Sequence, residues 1–275
     1  NMEFNTVPVP TIIGDAIVCS GSTATYTTES GMNNYQWTVV GGTGSSTSNS
    51  ITVTWGSGAT GSVSVNYTDP DGNCTATSAT IKNVTINALP VVGFSFNDNL
   101  AGTGSIFNYC YNETVTVTLS EIWSGTAPFD ISWTVNDVLS SVTDVELGDE
   151  LFSSILTAGT YVVEVISIVD ANGCSPSDYA PYTATAIVHP QPTATASVTT
   201  TIPCNGSTAT VTIMPLVGTA PFTFYFGSEI PNTTGVFTGI VAGTYSWSFT
   251  DANGCISATG SLEVNEPVAI TVSGT

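Results

Sequence analysis

Alternating apolar and polar residues run through this chain and predict β-strands along its whole length. The clearest runs are rich in β-branched residues and have a period of two: Ile51–Trp55, Ser62–Tyr67, Thr114–Leu119 and Thr208–Ile213. Between residues 245 and 250, aromatic residues alternate with hydroxyl residues, which places Tyr245, Trp247 and Phe249 on one face, against a core. Glycine-rich turn signals separate these runs, and no segment has a helical period. The pattern predicts an all-β protein made of sandwiches.

Two cysteine motifs recur along the chain. An opening cysteine begins segments of the type Cys-Asn-Gly-Ser-Thr-Ala-Thr-Val-Thr, and a closing cysteine ends a tight turn of the type Asp-Ala-Asn-Gly-Cys. The opening cysteines are Cys19, Cys110 and Cys204, and the closing cysteines are Cys74, Cys174 and Cys255. The turn at Cys74 is a looser copy, with the sequence Asp-Pro-Asp-Gly-Asn-Cys from residue 69. The opening motif returns about every 90 residues, which is the size of a domain. We therefore expect three immunoglobulin-like β-sandwiches in tandem.

Short segments that contain proline mark the expected joints between these sandwiches. Pro90, Pro192 and Pro267 each follow a predicted final strand. The predicted domains are 1–90, 91–190 and 191–267, and residues 268–275 read as the start of a following repeat. The sequence thus reads as one stretch of a longer array.

One opening and one closing cysteine per repeat favour the pairs Cys19–Cys74, Cys110–Cys174 and Cys204–Cys255, with one disulfide in each sandwich. A zinc site is disfavoured, because no Cys-x-x-Cys motif occurs and the chain has a single histidine. Disulfides form in oxidising compartments, so we expect an extracellular, cell-surface protein.

The charge balance excludes one class of partner. The chain has 21 acidic residues and one lysine or arginine (Lys82), which gives a net charge of −20. Nucleic-acid binding needs a basic surface and is excluded. No run is long and apolar enough to predict membrane insertion, and no signal peptide is visible.

The third repeat resembles a known family through several spaced motifs. Cys204-Asn-Gly, Gly218-Thr-Ala-Pro-Phe222, the turn that ends at Cys255 and Asn265-Glu-Pro267 are similar to an SprB-type repeat, found in giant surface adhesins of gliding and other Bacteroidota. The first repeat, with Tyr35–Gly42 and Asn49–Trp55, resembles the PKD-like domains of such proteins, and the middle repeat is similar to a related immunoglobulin-like repeat. The resemblance implies gliding motility, adhesion and export by type IX secretion.

Two groups of residues are candidates for ligand binding, although each also has a purely structural interpretation. The acidic stretch Asp144, Glu146, Asp149 and Glu150 is a calcium candidate, because Ca²⁺ takes six to eight oxygen ligands, although a solvated loop is favoured. Trp123 stands near a strand end and is the best candidate for an exposed aromatic that stacks on sugars. We expect the other four tryptophans to be core residues.

Catalysis has little support, since His189 is alone in a joint and no second histidine exists for a triad. We predict a non-catalytic stalk segment of a large exported adhesin or surface filament, without a cofactor. Its expected partners are neighbouring repeats of the polypeptide. Two alternatives stay open: a carbohydrate-binding module array that binds surface polysaccharide, and a filament subunit that assembles with other chains by β-strand complementation.

Overall fold

A computed structural model describes residues 7–71, 74–176 and 182–271. Within these ranges the chain forms strands and turns and no helix. The strands are β1 (Ile17–Cys19), β2 (Thr23–Thr27), β3 (Asn33–Val40), β4 (Gly42–Thr43), β5 (Ser50–Trp55), β6 (Thr60–Thr68), β7 (Thr80–Asn87), β8 (Val91–Phe96), β9 (Asn99–Leu100), β10 (Ser105–Cys110), β11 (Thr114–Ser124), β12 (Phe129–Val135), β13 (Val138–Val145), β14 (Glu150–Ile155), β15 (Gly159–Asp170), β16 (Tyr182–His189), β17 (Thr193–Thr200), β18 (Ala209–Val217), β19 (Thr223–Phe226), β20 (Val236–Ile240), β21 (Gly243–Thr250) and β22 (Gly260–Val264).

Six sheets contain these strands, two for each predicted repeat. In the first sandwich the orders are β1-β7-β6-β3 and β2-β5-β4, and in the third they are β17-β18-β20 and β19-β21-β22. The strands between them form sheets of order β10-β16-β15-β12-β13 and β14-β11-β8-β9, which we call the middle sandwich. The predicted all-β, immunoglobulin-like fold class is confirmed.

The period-two alternation places the apolar side chains inside. In the first sandwich, Tyr26 and Trp55 from one sheet pack in the same core as Val63 and Val84 from the other. In the third, Val211 and Phe237 share a core with Phe249. Each core is built from both of its sheets, as in aligned sandwiches.

Contacts between residues divide the chain into two compact units whose segments alternate. Unit 1 comprises Asn1–Ala101, Thr118–Leu151 and Glu164–Tyr182, and unit 2 comprises Gly102–Val117, Phe152–Val163 and Thr183–Thr275. The first sandwich lies in unit 1, the third lies in unit 2, and the middle sandwich contributes strands to both. The predicted domain limits 1–90, 91–190, 191–267 and 268–275 therefore stay predictions.

Parallel pairing positions the opening cysteines. β1 runs parallel to β7 with Cys19 opposite Asn87, and β10 runs parallel to β16 with Cys110 opposite His189. In both sandwiches the opening cysteine lies beside the last residue of the last strand. It therefore stands where the chain leaves one sandwich for the next.

Candidate functional site: the disulfide-bonded joints

The predicted Asp-Ala-Asn-Gly turns are present, and an aspartate organises each of them. In the third sandwich the amides of Asn253 and Cys255 donate to Oδ1 of Asp251, both at 3.0 Å. In the middle sandwich the amides of Asn172 and Cys174 donate to Oδ1 of Asp170 at 3.0 and 2.8 Å. Both aspartates are buried. Each carboxylate accepts hydrogen bonds from amides that have no partner on a neighbouring strand and would otherwise need water as an acceptor.

The same aspartates hold a second loop against the turn. Oδ2 of Asp170 accepts from the amide of Thr126 at 3.1 Å, and Oδ2 of Asp251 accepts from the amide of Thr219 at 3.1 Å. These threonines belong to the two Gly-Thr-Ala-Pro loops, each of which contains a cis peptide bond before its proline. Turn and loop thus form one hydrogen-bonded block beside each closing cysteine.

Each block packs next to the joint that leads into its sandwich. A Cβ atom built on Gly125 would lie 2.8 Å from Cα of Pro90. One built on Gly218 would lie 3.4 Å from Cβ of Pro192. Both glycines have a positive φ, of 93° and 137°, so the loop needs glycine for its backbone angle as well as for its approach to the joint.

The opening cysteines also share one local structure. The carbonyl of Cys19 accepts from the amide of Ser22 at 3.1 Å, and that of Cys110 accepts from the amide of Glu113 at 3.0 Å. The carbonyl of Cys204 accepts from the amide of Ser207 at 3.0 Å. All three cysteines therefore begin the same four-residue turn.

The disulfides connect consecutive sandwiches. Cys19, at the exit of the first sandwich, bonds to Cys174 in the closing turn of the middle one, within unit 1. Cys110, at the exit of the middle sandwich, bonds to Cys255 in the closing turn of the third, within unit 2. The Cα atoms are 5.5 and 5.4 Å apart, in the usual range for a disulfide.

The predicted pairs Cys19–Cys74, Cys110–Cys174 and Cys204–Cys255 are therefore wrong. Each bonded opening cysteine takes the closing cysteine of the following repeat and not that of its own. The physical reason is position: the opening cysteine lies at the exit of its sandwich, and the closing turn packs beside the joint by which the chain enters its sandwich. Neither disulfide contains Cys74 or Cys204, and Cys204 is an exposed free thiol.

Glu29 accepts a cluster of hydrogen bonds that the sequence did not indicate. Its carboxylate accepts from Oγ1 of Thr11 at 2.5 Å, the amide of Thr11 at 3.1 Å, Oγ1 of Thr28 at 2.7 Å and the hydroxyl of Tyr67 at 2.9 Å. Burial raises the pKa of Glu29, but the hydrogen bonds outweigh it and lower the pKa to about 2. Burial and the hydrogen bond to Glu29 raise the pKa of Tyr67 to about 12. No local motif signals this site, because its main donors are distant in sequence.

The calcium candidates are exposed, and one of their carboxylates, that of Asp149, accepts a local hydrogen bond. Oδ2 of Asp149 accepts from the amide of Glu146 at 2.8 Å, while the amide of Asp144 donates to Asp130 at 3.2 Å. Glu150 begins β14 and is also exposed. Across residues 7–71, 74–176 and 182–271, no three histidine, cysteine or acidic side chains are grouped so as to hold a metal ion.

Trp123 is exposed over 58% of its surface, as the sequence indicated. Its ring lies over Gly93, since a Cβ atom built on Gly93 would lie 3.0 Å from the indole. The side chain of Leu100 also lies close to Gly93 and is exposed. Trp55 and Trp133 are buried, and Trp37 and Trp247 are partly buried against their cores. The tryptophans thus divide as predicted.

His189 ends β16, where its Nε2 atom lies 2.9 Å from Oδ1 of Asn108. It therefore supports the pairing of β10 with β16. In the part of the chain that the structure describes, no helix is long and apolar enough to cross a membrane.

No protein-family model matches the chain, and no curated protein matches it in sequence. The similar solved structures include a segment of three immunoglobulin domains of titin, at 10% identity and a TM-score of 0.43, which covers 95% of this chain and 100% of that one. They also include the first three fibronectin domains of chicken CNTN1, at 10% identity and a TM-score of 0.34, with 94% and 98% covered. Fibronectin(III)-like modules of CbhA from Clostridium thermocellum have 15% identity and a TM-score of 0.35, with 63% and 93% covered.

Proposed function

We propose that this chain is a non-catalytic structural segment of an extracellular protein, in which disulfides carry tension across the joints between sandwiches. The observation that supports this function is the pairing of each bonded opening cysteine with the closing cysteine of the next repeat. A disulfide inside one sandwich would protect that sandwich only. A disulfide across a joint keeps neighbouring sandwiches covalently attached at a second point, even if one of them unfolds.

The two disulfides also overlap in sequence, because Cys110 lies between Cys19 and Cys174. The shortest covalent path from Cys19 to Cys255 therefore crosses both disulfides and only the residues between Cys110 and Cys174. At ~3.4 Å per residue this path extends to about 220 Å, against about 800 Å for the same chain without disulfides.

Pulling single molecules from both termini tests the proposal. We expect the oxidised protein to reach its limiting extension early and the reduced protein to lengthen by several hundred ångströms more. Equal extension in oxidising and reducing buffer would contradict the mechanical role. The reduced sample serves as the matched control, since it has the same sequence and the same sandwiches.

The finer proposal is a stalk segment of a large exported cell-surface adhesin of the SprB type, with export by type IX secretion. Its support is the resemblance carried by Gly218–Phe222, the turn ending at Cys255 and Asn265–Pro267. Antibody labelling of intact cells tests it: the segment should be labelled at the surface without permeabilisation. Labelling that requires lysis would reject the cell-surface location while leaving the mechanical proposal standing.

A carbohydrate-binding array is the second candidate, favoured by the exposed Trp123 beside Leu100. An indole ring with its face in solvent stacks on sugar rings, as it does on other flat apolar surfaces. Binding of the chain to surface polysaccharide should fall at least tenfold in Trp123→Ala and stay unchanged in Tyr225→Ala, an exposed aromatic of the third sandwich. Equal binding by both variants would reject this candidate.

A further inference from the structure

Cys204 has the same local structure as the two opening cysteines that form disulfides. Its turn has Gly206 at the third position with a φ of 80°, where the turns of Cys19 and Cys110 have Gly21 at 75° and Asn112 at 67°. The hydrogen bond that closes the turn is also the same in all three, at 3.0 to 3.1 Å. The turn that follows Cys204 is therefore the same as the turn that follows each of the two bonded cysteines, although those two end strands and Cys204 does not.

Cys204, like the two bonded cysteines, also lies near the end of its sandwich. Cys19 and Cys110 lie opposite the last residues of β7 and β16. Beside Cys204, the amide of Gly206 donates to Oε2 of Glu266 at 2.9 Å, and Nδ2 of Asn205 donates to the carbonyl of Pro267 at 3.2 Å. Cys204 thus stands at the exit of the third sandwich, next to the joint proline.

The segment after this joint supplies an independent observation. After the earlier joint prolines, Pro90 and Pro192, the chain enters the first strand of the next sandwich, β8 or β17. After Pro267, Val268 and Ile270 alternate in the same way, but their side chains are 92% and 93% exposed. A neighbouring sandwich would cover two such exposed apolar side chains at strand spacing.

We propose that Cys204 is a disulfide-forming site whose partner is the closing cysteine of an immunoglobulin-like sandwich that receives the segment after Pro267. This inference rests on the proposed mechanical function and extends it to a third joint. The sandwich is a further repeat of the same polypeptide, because after the earlier joint prolines the chain itself continues into the next sandwich.

The bond forms by thiol–disulfide exchange with a low-molecular-weight disulfide such as oxidised glutathione. The Cys204 thiolate attacks one sulfur and releases one glutathione thiolate, which leaves a mixed disulfide on Cys204. The thiolate of the closing cysteine then attacks the Cys204 sulfur and releases the second glutathione. Two protein thiols lose their protons and two electrons, and one small disulfide is reduced to two thiols.

Disulfide mapping of the native parent protein tests this directly. The protein is alkylated with iodoacetamide during isolation, digested without reduction and analysed by mass spectrometry. We expect the Cys204 peptide joined to a peptide that ends a closing turn downstream in the same chain. Recovery of Cys204 in alkylated form, as a glutathione adduct, or bonded to Cys204 of another copy or to any other cysteine would overturn the inference.

The 275-residue chain tests the alternative that the partner belongs to a second copy. In a glutathione redox buffer, a second-copy partner gives a ladder of oligomers on non-reducing gels, which Cys204→Ser abolishes and the neighbouring control Thr208→Ser keeps. Such a ladder would overturn the inference. A partner in the same polypeptide gives no ladder from this chain, while the native map still shows the Cys204 bond. The native map also reports Cys19–Cys174 and Cys110–Cys255. Absence of those two bonds would contradict the proposed mechanical function, whereas absence of the Cys204 bond alone would contradict only this inference.

Discussion

Glu29 holds the segment before β1 against the first sandwich through its four hydrogen bonds, two of which come from Thr11. Mutual backbone bonds between Ile13 and Thr27, both at 2.9 Å, continue the same attachment. With almost no cation in the chain, this carboxylate is stabilised by neutral donors and not by an ion pair. Hydrogen bonds to a charged acceptor are stronger than neutral ones, which explains how one residue can fix this segment.

The lowered pKa of Glu29 predicts an acid-dependent stability. The folded pKa of about 2 lies below the usual 4.5, so the unfolded chain takes up the proton first as the pH falls. The stabilisation is complete above pH 4.5 and is lost as the pH falls through about 2. We expect Glu29→Gln to lower the unfolding free energy at pH 7, and the gap to wild type to close between pH 4.5 and 2 in urea titrations. A gap that stays constant with pH would contradict this; Glu263→Gln, at an exposed position, is the control.

Gly260 makes room for an aromatic ring across the sheet. It lies opposite Trp247 in the pairing of β21 with β22, and a Cβ atom built on it would stand 2.2 Å from Cε2 of the indole. We expect Gly260→Ala to displace the ring and destabilise the third sandwich by about 1–3 kcal/mol, the usual cost of overpacking. Chemical denaturation measures this loss of stability. Ser261→Ala, on the exposed side of β22, is the control. Gly254→Ala would be unsuitable as a control, because Gly254 has a positive φ. Unchanged stability in Gly260→Ala would show that the indole does not hold this position.

At the scale of elements, each closing turn is a folding unit made of a turn, a loop and one buried aspartate. Four donors converge on Asp251: the amides of Thr219, Asn253 and Cys255 and the side chain of Asn253. The turn therefore does two tasks, since it closes the hairpin between β21 and β22 and positions Cys255 for its disulfide. Asp170 does the same for Cys174 in the middle sandwich.

Removal of this carboxylate is expected to be costly. Asp251→Ala leaves the buried amide of Cys255 without its acceptor, along with the part-buried amides of Asn253 and Thr219. One buried amide without an acceptor costs about 1–3 kcal/mol, so the third sandwich should lose at least that much stability. Asp251→Asn keeps the Oδ1 acceptor and should recover a large part of the loss. Hydrogen exchange at the Cys255 amide provides the local measurement and should accelerate in Asp251→Ala. Slow exchange in that variant would show that other groups hold the turn.

The strands and closing turns were predictable from sequence because they depend on local rules. Period-two alternation set the burial of Tyr245, Trp247 and Phe249, and Asp-Ala-Asn-Gly set the turns. The disulfide partners were not predictable, because all opening cysteines have the same local motif and all closing cysteines have another. The choice between a repeat's own closing cysteine and the next one depends on which end of the sandwich each occupies, and that follows from the parallel pairing of β1 with β7 and of β10 with β16.

At the scale of the whole molecule, the disulfides make two overlapping covalent loops, with sequence separations of 155 and 145 residues. Because the loops overlap, either disulfide alone still gives a short covalent path between Cys19 and Cys255. Two successive loops would lack this redundancy. With Cys19–Cys174 alone, the covalent path continues from Cys174 to Cys255. With Cys110–Cys255 alone, it runs from Cys19 to Cys110 and then crosses the bond. Either disulfide by itself therefore bypasses most of the chain.

This redundancy predicts the extension of each variant under force. At ~3.4 Å per residue, Cys110→Ser/Cys255→Ser should extend to about 280 Å between residues 19 and 255, and Cys19→Ser/Cys174→Ser to about 310 Å. The variant without all four cysteines should reach about 800 Å, like the reduced wild type. Single-molecule pulling distinguishes these lengths, and Cys204→Ser is the control that should match oxidised wild type at about 220 Å.

If the disulfides lay within single sandwiches, each removal would add a separate increment and the double removal would equal the sum of the two. The overlapping bonds instead make the combined loss several times larger than the two single losses together, so the pattern of lengths alone tests the connectivity.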